Sequence, residues 1–179
     1  MAASVIAVAA DSGHNFTKPP QNKITLIASL GVEGDAHCGR TVQHLSDKKK
    51  NPDAPNLRQV HLMHSELFDE LAEKNILVLP GQMGENIVTR GVDLLALPQG
   101  TELHMGEAII QVTGLRSPCY KLNTIHPGLL KAVVDKRADG SVNKKSGVMS
   151  IVVKGGTVKA GDAITVKFPS GEHLPLECV

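Results

Sequence analysis

The chain has 179 residues, a formal net charge of +1 and 41% hydrophobic residues, a composition that suits one soluble globular domain over residues 1–179. The balanced charge excludes an overall field that would draw the protein to nucleic acid or to a membrane surface. With one Tyr, three Phe and no Trp, the sequence also argues against binding of single-stranded nucleic acid by aromatic stacking.

Three cysteines indicate a reducing compartment, for which the cytoplasm is the default. Cys38, Cys119 and Cys178 are odd in number and show no CxxC spacing, so they do not read as a disulfide framework. No apolar run reaches the roughly 18 residues that a membrane helix needs. Residues 1–10 lack a basic leading segment and therefore predict a first strand rather than a signal peptide.

Short apolar and β-branched runs between turn residues predict a mainly β chain. The predicted strands cover residues 4–10, 23–30, 57–63, 87–89, 101–105, 107–113, 148–154, 157–159 and 163–168. A helix is predicted over residues 64–75, with Ser65 as its N-cap, and a second over residues 127–137, with Pro127 in its first turn. Because strands do not alternate regularly with helices, we expect a closed or nearly closed β-barrel with a few connecting helices.

Three polar segments between these elements are expected to be loops. Residues 41–56 predict a mobile surface loop, whose run Lys48–Lys50 is either a solvated face or a lid that meets an anionic ligand. Residues 31–40 and 80–86 are Gly-rich turns that do not match the phosphate-loop pattern.

The thiol of Cys119 is the candidate functional group of the sequence. It lies on a loop beyond the predicted strand 107–113, because Pro118 has no N–H with which to continue a strand ladder. Arg116 and Lys121 flank it, and nearby positive charge favours a thiolate. A thiolate serves as a nucleophile, a sulfur carrier or a soft metal ligand, whereas many free cysteines are only small buried hydrophobes.

The residues alone also allow two other chemistries. Cys119 and His126 could form a Cys–His pair for hydrolysis, although no local signature of a cysteine hydrolase is present. Five residues of types that bind zinc lie close in sequence, but without the tight paired spacing of structural zinc sites. They are His37, Cys38, His44, His61 and His64.

Six motifs in a fixed order carry a resemblance to a known family. They are Val32-Glu33-Gly34-Asp35, Gln59-Val60, Pro80-Gly81 with Gly84-Glu85-Asn86-Ile87, Gly100 with Leu103 and Gly106, Arg116-Ser117-Pro118-Cys119-Tyr120-Lys121-Leu122, and Gly147-Val148 with Gly156, Val158, Gly161 and Asp162. Together they resemble the MOSC domain, named for the C-terminal domain of molybdenum cofactor sulfurases, over roughly residues 31–166. The PCYKL run is similar to that of the stand-alone YiiM-like bacterial branch.

The resemblance implies a β-barrel like the small domain of pyruvate kinase, and molybdenum in a pterin-bound cofactor with Cys119 as ligand and catalytic residue. It implies reduction of N-hydroxylated small molecules, with electrons from a separate redox protein. The alternative is a sulfur carrier, or a module that delivers or sulfurates the cofactor with a cofactor sulfurase as partner. A third possibility is a degenerate barrel that only binds a partner. Pyridoxal phosphate belongs to a fused desulfurase domain of the family and is not expected.

The resemblance also implies a set of cofactor-binding residues. They are Gly34, Asp35, Arg58, Gly84, Glu85, Asn86, Arg116, Lys121 and Asn123. The three cationic side chains suit the phosphate of the cofactor, and the two Asn side chains suit the edges of the pterin. The chain departs from many relatives after Asp35, where Cys38 could be a second sulfur ligand, a resolving thiol or a filler.

Overall fold

The architecture is mainly β, in a computed structural model that describes residues 2–136 and 140–179. The strands are β1 Ser4–Ala9, β2 Pro20–Gln21, β3 Lys23–Ile27, β4 Gly31–Val32, β5 Val60–His64, β6 Ile87–Arg90, β7 Glu102–Met105, β8 Ala108–Leu115, β9 Val134–Lys136, β10 Val142–Lys144, β11 Val148–Lys154, β12 Gly156–Lys159 and β13 Ile164–Lys167. The α-helices are α1 Leu45–Lys48, α2 Glu66–Glu73 and α3 Leu129–Ala132, and 3-10 helices cover Leu94–Ala96 and Tyr120–Thr124. No helix in the described ranges is long and apolar enough to cross a membrane.

Eight strands form the main sheet, in the order β13-β7-β8-β11-β5-β6-β1-β2. Its central pairs are antiparallel except for β5 and β6, which run parallel. A second sheet of three strands has the order β12-β3-β4, and β9 pairs with β10 in a separate ribbon. The parallel pair matters for function, because it places the start of β6 beside β5. The Gln59-Val60 motif and the motif that ends at Ile87 therefore lie side by side.

The expected closed barrel is not found among the described residues. The ladder of the main sheet is open, with β13 at one end and β2 at the other. An isolated antiparallel bridge joins Ser4 to Ala163, and the backbone N–H of Val5 donates to the carbonyl oxygen of Asp162 at 2.9 Å. The backbone N–H of Ile164 also donates to the carbonyl oxygen of Ala3, and that of Gly161 to the carbonyl oxygen of Val5, both at 2.9 Å. These bonds bring β1 beside the start of β13 without a continuous ladder. The prediction is therefore confirmed for a mainly β fold, and the sheet approaches closure but is not a closed barrel.

Alternation of apolar and polar residues explains the main core. In β8 the side chains of Ala108, Ile110 and Val112 are buried while the intervening residues are partly exposed, as expected for one face of a strand on the core. The buried side chains of this core come from both larger sheets, with Leu26 and Val158 from the smaller one. The two sheets therefore enclose one hydrophobic core.

A second hydrophobic cluster supports the loop that carries Cys119. Helix α2 buries Leu67 and Leu71, which are four residues apart and lie on one face. Burial of each contributes about 1.5–3 kcal/mol to folding. Leu122 from the 3-10 helix and Leu129 from α3 pack into the same cluster and are fully buried. The cluster thus fixes the segment that follows Cys119.

Several local predictions are confirmed. The hairpin around Gly106 joins β7 to β8, and β11 covers the predicted range 148–154. Helix α2 lies within the predicted range 64–75. Ser65 occupies its N-cap position, but its side chain forms no capping hydrogen bond. Its hydroxyl oxygen instead accepts a hydrogen bond from Arg90 Nε at 2.9 Å.

One local prediction is wrong, and a second is incomplete. The helix expected over residues 127–137 is only the single turn α3, after which the chain continues as β9; Arg137 lies outside the described residues. Val133 and Val134 are β-branched, which favours extended backbone, and β9 is stabilised by pairing with β10. The expected loop over residues 41–56 contains the short helix α1 and forms part of a cavity wall.

Candidate functional site

A cavity of about 500 Å³ lies beside the loop that follows β8. This volume is within the range of roughly 300–1,000 Å³ that is usual for ligand and cofactor sites. Its wall combines the loop before β2, helix α1, the turn before β6 and the segment after β8. Six residues predicted from the sequence line it: Arg58, Gly84, Asn86, Arg116, Cys119 and Lys121.

Cys119 is half-buried in the cavity wall, on the expected loop. The backbone N–H of Arg116 donates to the carbonyl oxygen of Gly147 at 3.0 Å, and its carbonyl oxygen accepts from Ser146 Oγ at 2.8 Å. Cys119 itself is extended and precedes the 3-10 helix, whose buried Leu122 anchors it. The thiol is therefore held from both sides, at the end of β8 and at the start of a packed helical turn.

The guanidinium of Arg116 has one nitrogen without a hydrogen-bond partner at this wall. Its Nη1 atom is buried and has no hydrogen-bond partner among the described residues. Burial lowers the pKa of Arg116, while the nearby Cys119 and Glu85 act in the opposite direction. The guanidinium carbon lies 5.4 Å from the centre of the Phe16 ring, a cation–π distance. A buried N–H with no acceptor is costly, so Arg116 is prepared for an anionic or acceptor group that enters the cavity.

A buried ion pair forms another part of the wall. Lys18 Nζ donates to Asp35 Oδ2 at 2.7 Å, and the two side chains are 5% and 1% exposed. Burial by itself would raise the pKa of Asp35, but the hydrogen bond from His37 and the ion pair with Lys18 outweigh it and lower that pKa. Asn86 Nδ2 donates to the same carboxylate at 3.0 Å. Asp35 is thus an ionised carboxylate that holds Lys18 at the cavity.

The glycines of the turn before β6 let it pack tightly against the loop that carries Lys18. Gly81 and Gly84 have φ values of +85° and +83°, which favour glycine. A Cβ at Gly84 would lie 2.8 Å from the carbonyl oxygen of Phe16, and one at Gly81 would collide with the carbonyl oxygen of Lys18. The backbone N–H of Lys18 donates to the carbonyl oxygen of Gly81 at 2.8 Å. The Pro80–Asn86 motif therefore positions residues 16–18.

Helix α1 and Arg58 close another side of the cavity. Arg58 Nη1 lies 3.3 Å from Asp47 Oδ2, and both side chains are about one-third exposed. Lys48–Lys50 are exposed and do not line the cavity, whereas His44 and Ser46 do. Four of the lining side chains are Lys or Arg and one is acidic, so the cavity is locally cationic although the chain is almost neutral.

Four of the predicted cofactor-binding residues do not line the cavity. Asp35 lies behind it as the partner of Lys18. Glu85 is buried, its pKa is raised by burial, and its Oε1 accepts from the Gly81 N–H at 2.6 Å. Asn123 is exposed and accepts from the Leu130 N–H at 3.0 Å, which caps α3. Gly34 is an exposed turn residue with φ of +73°.

The other chemistries considered from the sequence find no assembled site in the described residues. No group of three or more His, Cys, Asp and Glu that could hold a metal ion occurs within residues 2–136 and 140–179. His126 does not line the cavity, and Cys119 forms no hydrogen bond with a histidine of the described chain. Cys38 also lies outside the cavity lining, and burial together with Asp35 and Glu33 raises the pKa of its thiol.

Sequence reasoning missed several residues of the cavity. Lys18 and Phe16 lie in a turn-rich loop whose sequence carries no motif, and only their contacts with Asp35 and Arg116 identify them. His61 was considered only as a zinc ligand. It is buried, its Nε2 lies 2.8 Å from the carbonyl oxygen of Ser146, and burial lowers its pKa to about 3. The ring is therefore neutral at physiological pH.

The residues of the cavity fit a cofactor that brings its own metal. A bare ion would need several protein ligands, whereas a metal already bound by other sulfurs needs one soft ligand, which Cys119 can supply. The unpartnered Arg116 suits a phosphate or a heterocycle acceptor, and Lys121 and Arg58 add positive charge. Asn86 offers less than expected, because its amide already bonds the chain on both sides.

Comparisons with known proteins agree on one family. The model of the MOSC domain matches residues 35–165. Protein YiiM of Escherichia coli strain K12 is 36% identical over 98 residues, which cover 55% of this chain and 41% of YiiM. This chain therefore aligns with less than half the length of that relative.

Solved structures are similar in fold. The YuaD protein of Bacillus subtilis has a TM-score of 0.75 at 24% identity, over 93% of this chain and 96% of that one. YiiM of Geobacillus stearothermophilus has a TM-score of 0.69 at 19% identity, over 97% and 79% of the two chains. YiiM of Escherichia coli has a TM-score of 0.62 at 22% identity, over 96% and 73%. Because the family model matches most of its length, the chain belongs to the MOSC domain family, and it is similar to YiiM.

Proposed function

We propose that the protein binds a molybdenum cofactor through Cys119 and reduces N-hydroxylated small molecules. The observation that carries the proposal is the buried Nη1 of Arg116, which has no hydrogen-bond partner in the described part of the chain, beside a half-buried thiol in a cationic cavity of a MOSC domain. In this proposal the electrons come from a separate redox protein, as the resemblance to the family implies. We place the protein in the cytoplasm, where its three free cysteines stay reduced.

Each residue of the cavity has a distinct role in this proposal. Cys119 is the thiolate ligand, and Arg116 lies beside it and binds an acceptor group of the pterin or its phosphate. Lys121 and Arg58 add attraction for the phosphate at the mouth of the cavity. The bound cofactor supplies a redox-active metal that the side chains lack. The neutral His61 and the backbone around Gly84 shape the inner wall.

The experiment that tests the proposal combines loading and turnover. Protein purified from a molybdenum-replete host is supplied with a chemically reduced electron donor and an N-hydroxylated purine, and amine formation is followed by chromatography. Wild-type protein and Cys178→Ala should form the amine, whereas Cys119→Ala should not. Cys178 is a matched control because it is also a free cysteine but lies away from the cavity.

The same preparation distinguishes the alternative. A sulfur carrier would show a persulfide on Cys119 by mass spectrometry of the native protein and would form no amine. That outcome would refute the reductase function and support a role in cofactor sulfuration, with a cofactor sulfurase as the partner.

A further inference from the structure

Reduction of an N-hydroxyl group requires a proton for the oxygen that leaves. The overall reaction is R–NHOH + 2 e⁻ + 2 H⁺ → R–NH₂ + H₂O, in which the N–O bond breaks. The two electrons come from the redox protein, one proton converts the departing hydroxyl to water, and the other completes the amine. A water molecule that enters from bulk solvent can protonate the nitrogen. The departing hydroxide, in contrast, is stabilised most by an acid that is fixed beside it.

We propose that Lys18 donates the proton to the departing oxygen, with Asp35 as its positioning residue. This inference rests on the proposed function. Lys18 is 6% exposed, lines the cavity, and is held by Asp35 at 2.7 Å. That bond uses one of the three N–H groups of the ammonium, and Asp35 is its only hydrogen-bond partner among the described residues. The ammonium therefore has N–H groups left to offer a bound substrate.

Four other lining side chains are less suited to this step. Arg58 and Arg116 remain protonated and do not release protons at physiological pH. His61 is buried and neutral, with its Nε2 at the carbonyl oxygen of Ser146. Lys121 is exposed to solvent. Of the two lysines at the cavity, Lys18 is thus the one that is shielded from water and fixed in place.

The charges around Lys18 are consistent with a proton donor. Burial lowers its pKa below the ordinary value, which brings an ammonium closer to the pH at which it can transfer a proton. Asp35, Glu85 and Asp11 face it and act in the opposite direction, which keeps it protonated before the reaction. After the transfer, the neutral amine is protonated again by water that enters the cavity.

A structural ion pair would explain the same contact without any role in the reaction. A buried ion pair adds little to stability over a well-packed apolar pair, even where the carboxylate has further donors such as Asn86 and His37, so the cost of burying both charges has little structural return. Lys18 also lines a cavity, and neither member of the pair belongs to the hydrophobic core. These two observations favour the catalytic role.

The decisive variant is Lys18→Arg, which keeps the positive charge and the pairing with Asp35 but cannot release a proton. We expect unchanged molybdenum content, KM within twofold of wild type, and a fall in kcat of about 100-fold or more. Lys145→Arg is the matched control, because Lys145 is also buried and paired with carboxylates, Glu70 and Asp135, but lies outside the cavity. A loaded Lys18→Arg protein with kcat within threefold of wild type would overturn the proposal.

A second measurement needs neither cofactor nor turnover. NMR of protein labelled at the lysine side chains, assigned with Lys18→Arg, should find that Lys18 titrates below the ordinary lysine value of 10.5, and lower still in Asp35→Asn. Titration at or above that value would refute the assignment. Failure of the proposed function is recognised separately, because wild-type protein would then carry no molybdenum and form no amine.

Discussion

Replacing Lys18 by Met should destabilise the protein strongly, because it leaves the carboxylate of Asp35 buried without its cation. The side chains are 5% and 1% exposed and 2.7 Å apart, so the carboxylate cannot turn to water. Breaking a buried pair in this way costs about 3–5 kcal/mol, which is a large share of the roughly 5–15 kcal/mol that stabilises a typical domain. The double variant Lys18→Met/Asp35→Asn removes the stranded charge and should recover at least about 2 kcal/mol.

Urea denaturation followed by far-ultraviolet circular dichroism measures these differences, since the chain has no Trp for fluorescence. The pH dependence adds a second check. The pKa of Asp35 is lowered in the folded state, so its contribution is present above the ordinary value of 3.8 and is lost as the pH falls through the lowered value. The deficit of Lys18→Met should therefore shrink in acid. A deficit below about 1 kcal/mol at neutral pH, or one that does not change with pH, would refute this reasoning.

Three further predictions test other parts of the cavity. Gly81→Ala should lower the free energy of unfolding by at least about 1 kcal/mol more than Gly161→Ala, because both glycines have positive φ but only Gly81 lies against a backbone carbonyl group. Equal losses of the free energy of unfolding in urea denaturation would contradict the close approach of Gly81 to Lys18. Arg116→Leu should raise the melting temperature of the cofactor-free protein, because it removes a buried N–H group that has no acceptor among the described residues, and should weaken inorganic phosphate binding in calorimetry about tenfold or more. A lower melting temperature would indicate a structural role. The His61 ring should stay neutral in NMR titrations until the pH approaches about 3. Because the unfolded chain takes up this proton near pH 6.5, the free energy of unfolding should fall as the pH drops below 6.5, and titration of the folded ring near 6.5 would mean that it is open to water.

Local patterns in the sequence predicted the elements whose structure depends on near neighbours. Strand β11 and the β7–β8 hairpin follow from alternation and from Gly106, and α2 follows from apolar spacing. The helix expected over residues 127–137 failed because β9 depends on pairing with β10, which local spacing does not reveal. Local spacing could not decide either whether the barrel closes fully, because closure depends on contacts between β1 and β13, which lie far apart in the chain.

The candidate site was predictable to the extent that it consists of loop residues next to Cys119. Arg116 and Lys121 are its sequence neighbours, and both line the cavity. The resemblance singled out Asp35, but its contact with the cavity is indirect, through Lys18. Lys18 itself could not be found from the sequence, because the contact that gives it a role joins residues 17 positions apart, with β2, β3 and β4 between them.

Molybdenum content is the most direct test of the central claim that Cys119 is the ligand of a bound cofactor. Wild-type protein, Cys119→Ser and Cys178→Ser are purified in parallel from a molybdenum-replete host and analysed by inductively coupled plasma mass spectrometry. We predict molybdenum in proportion to protein for the wild type and Cys178→Ser, and none above background for Cys119→Ser. Full molybdenum content in Cys119→Ser, or none in the wild type, would contradict the claim.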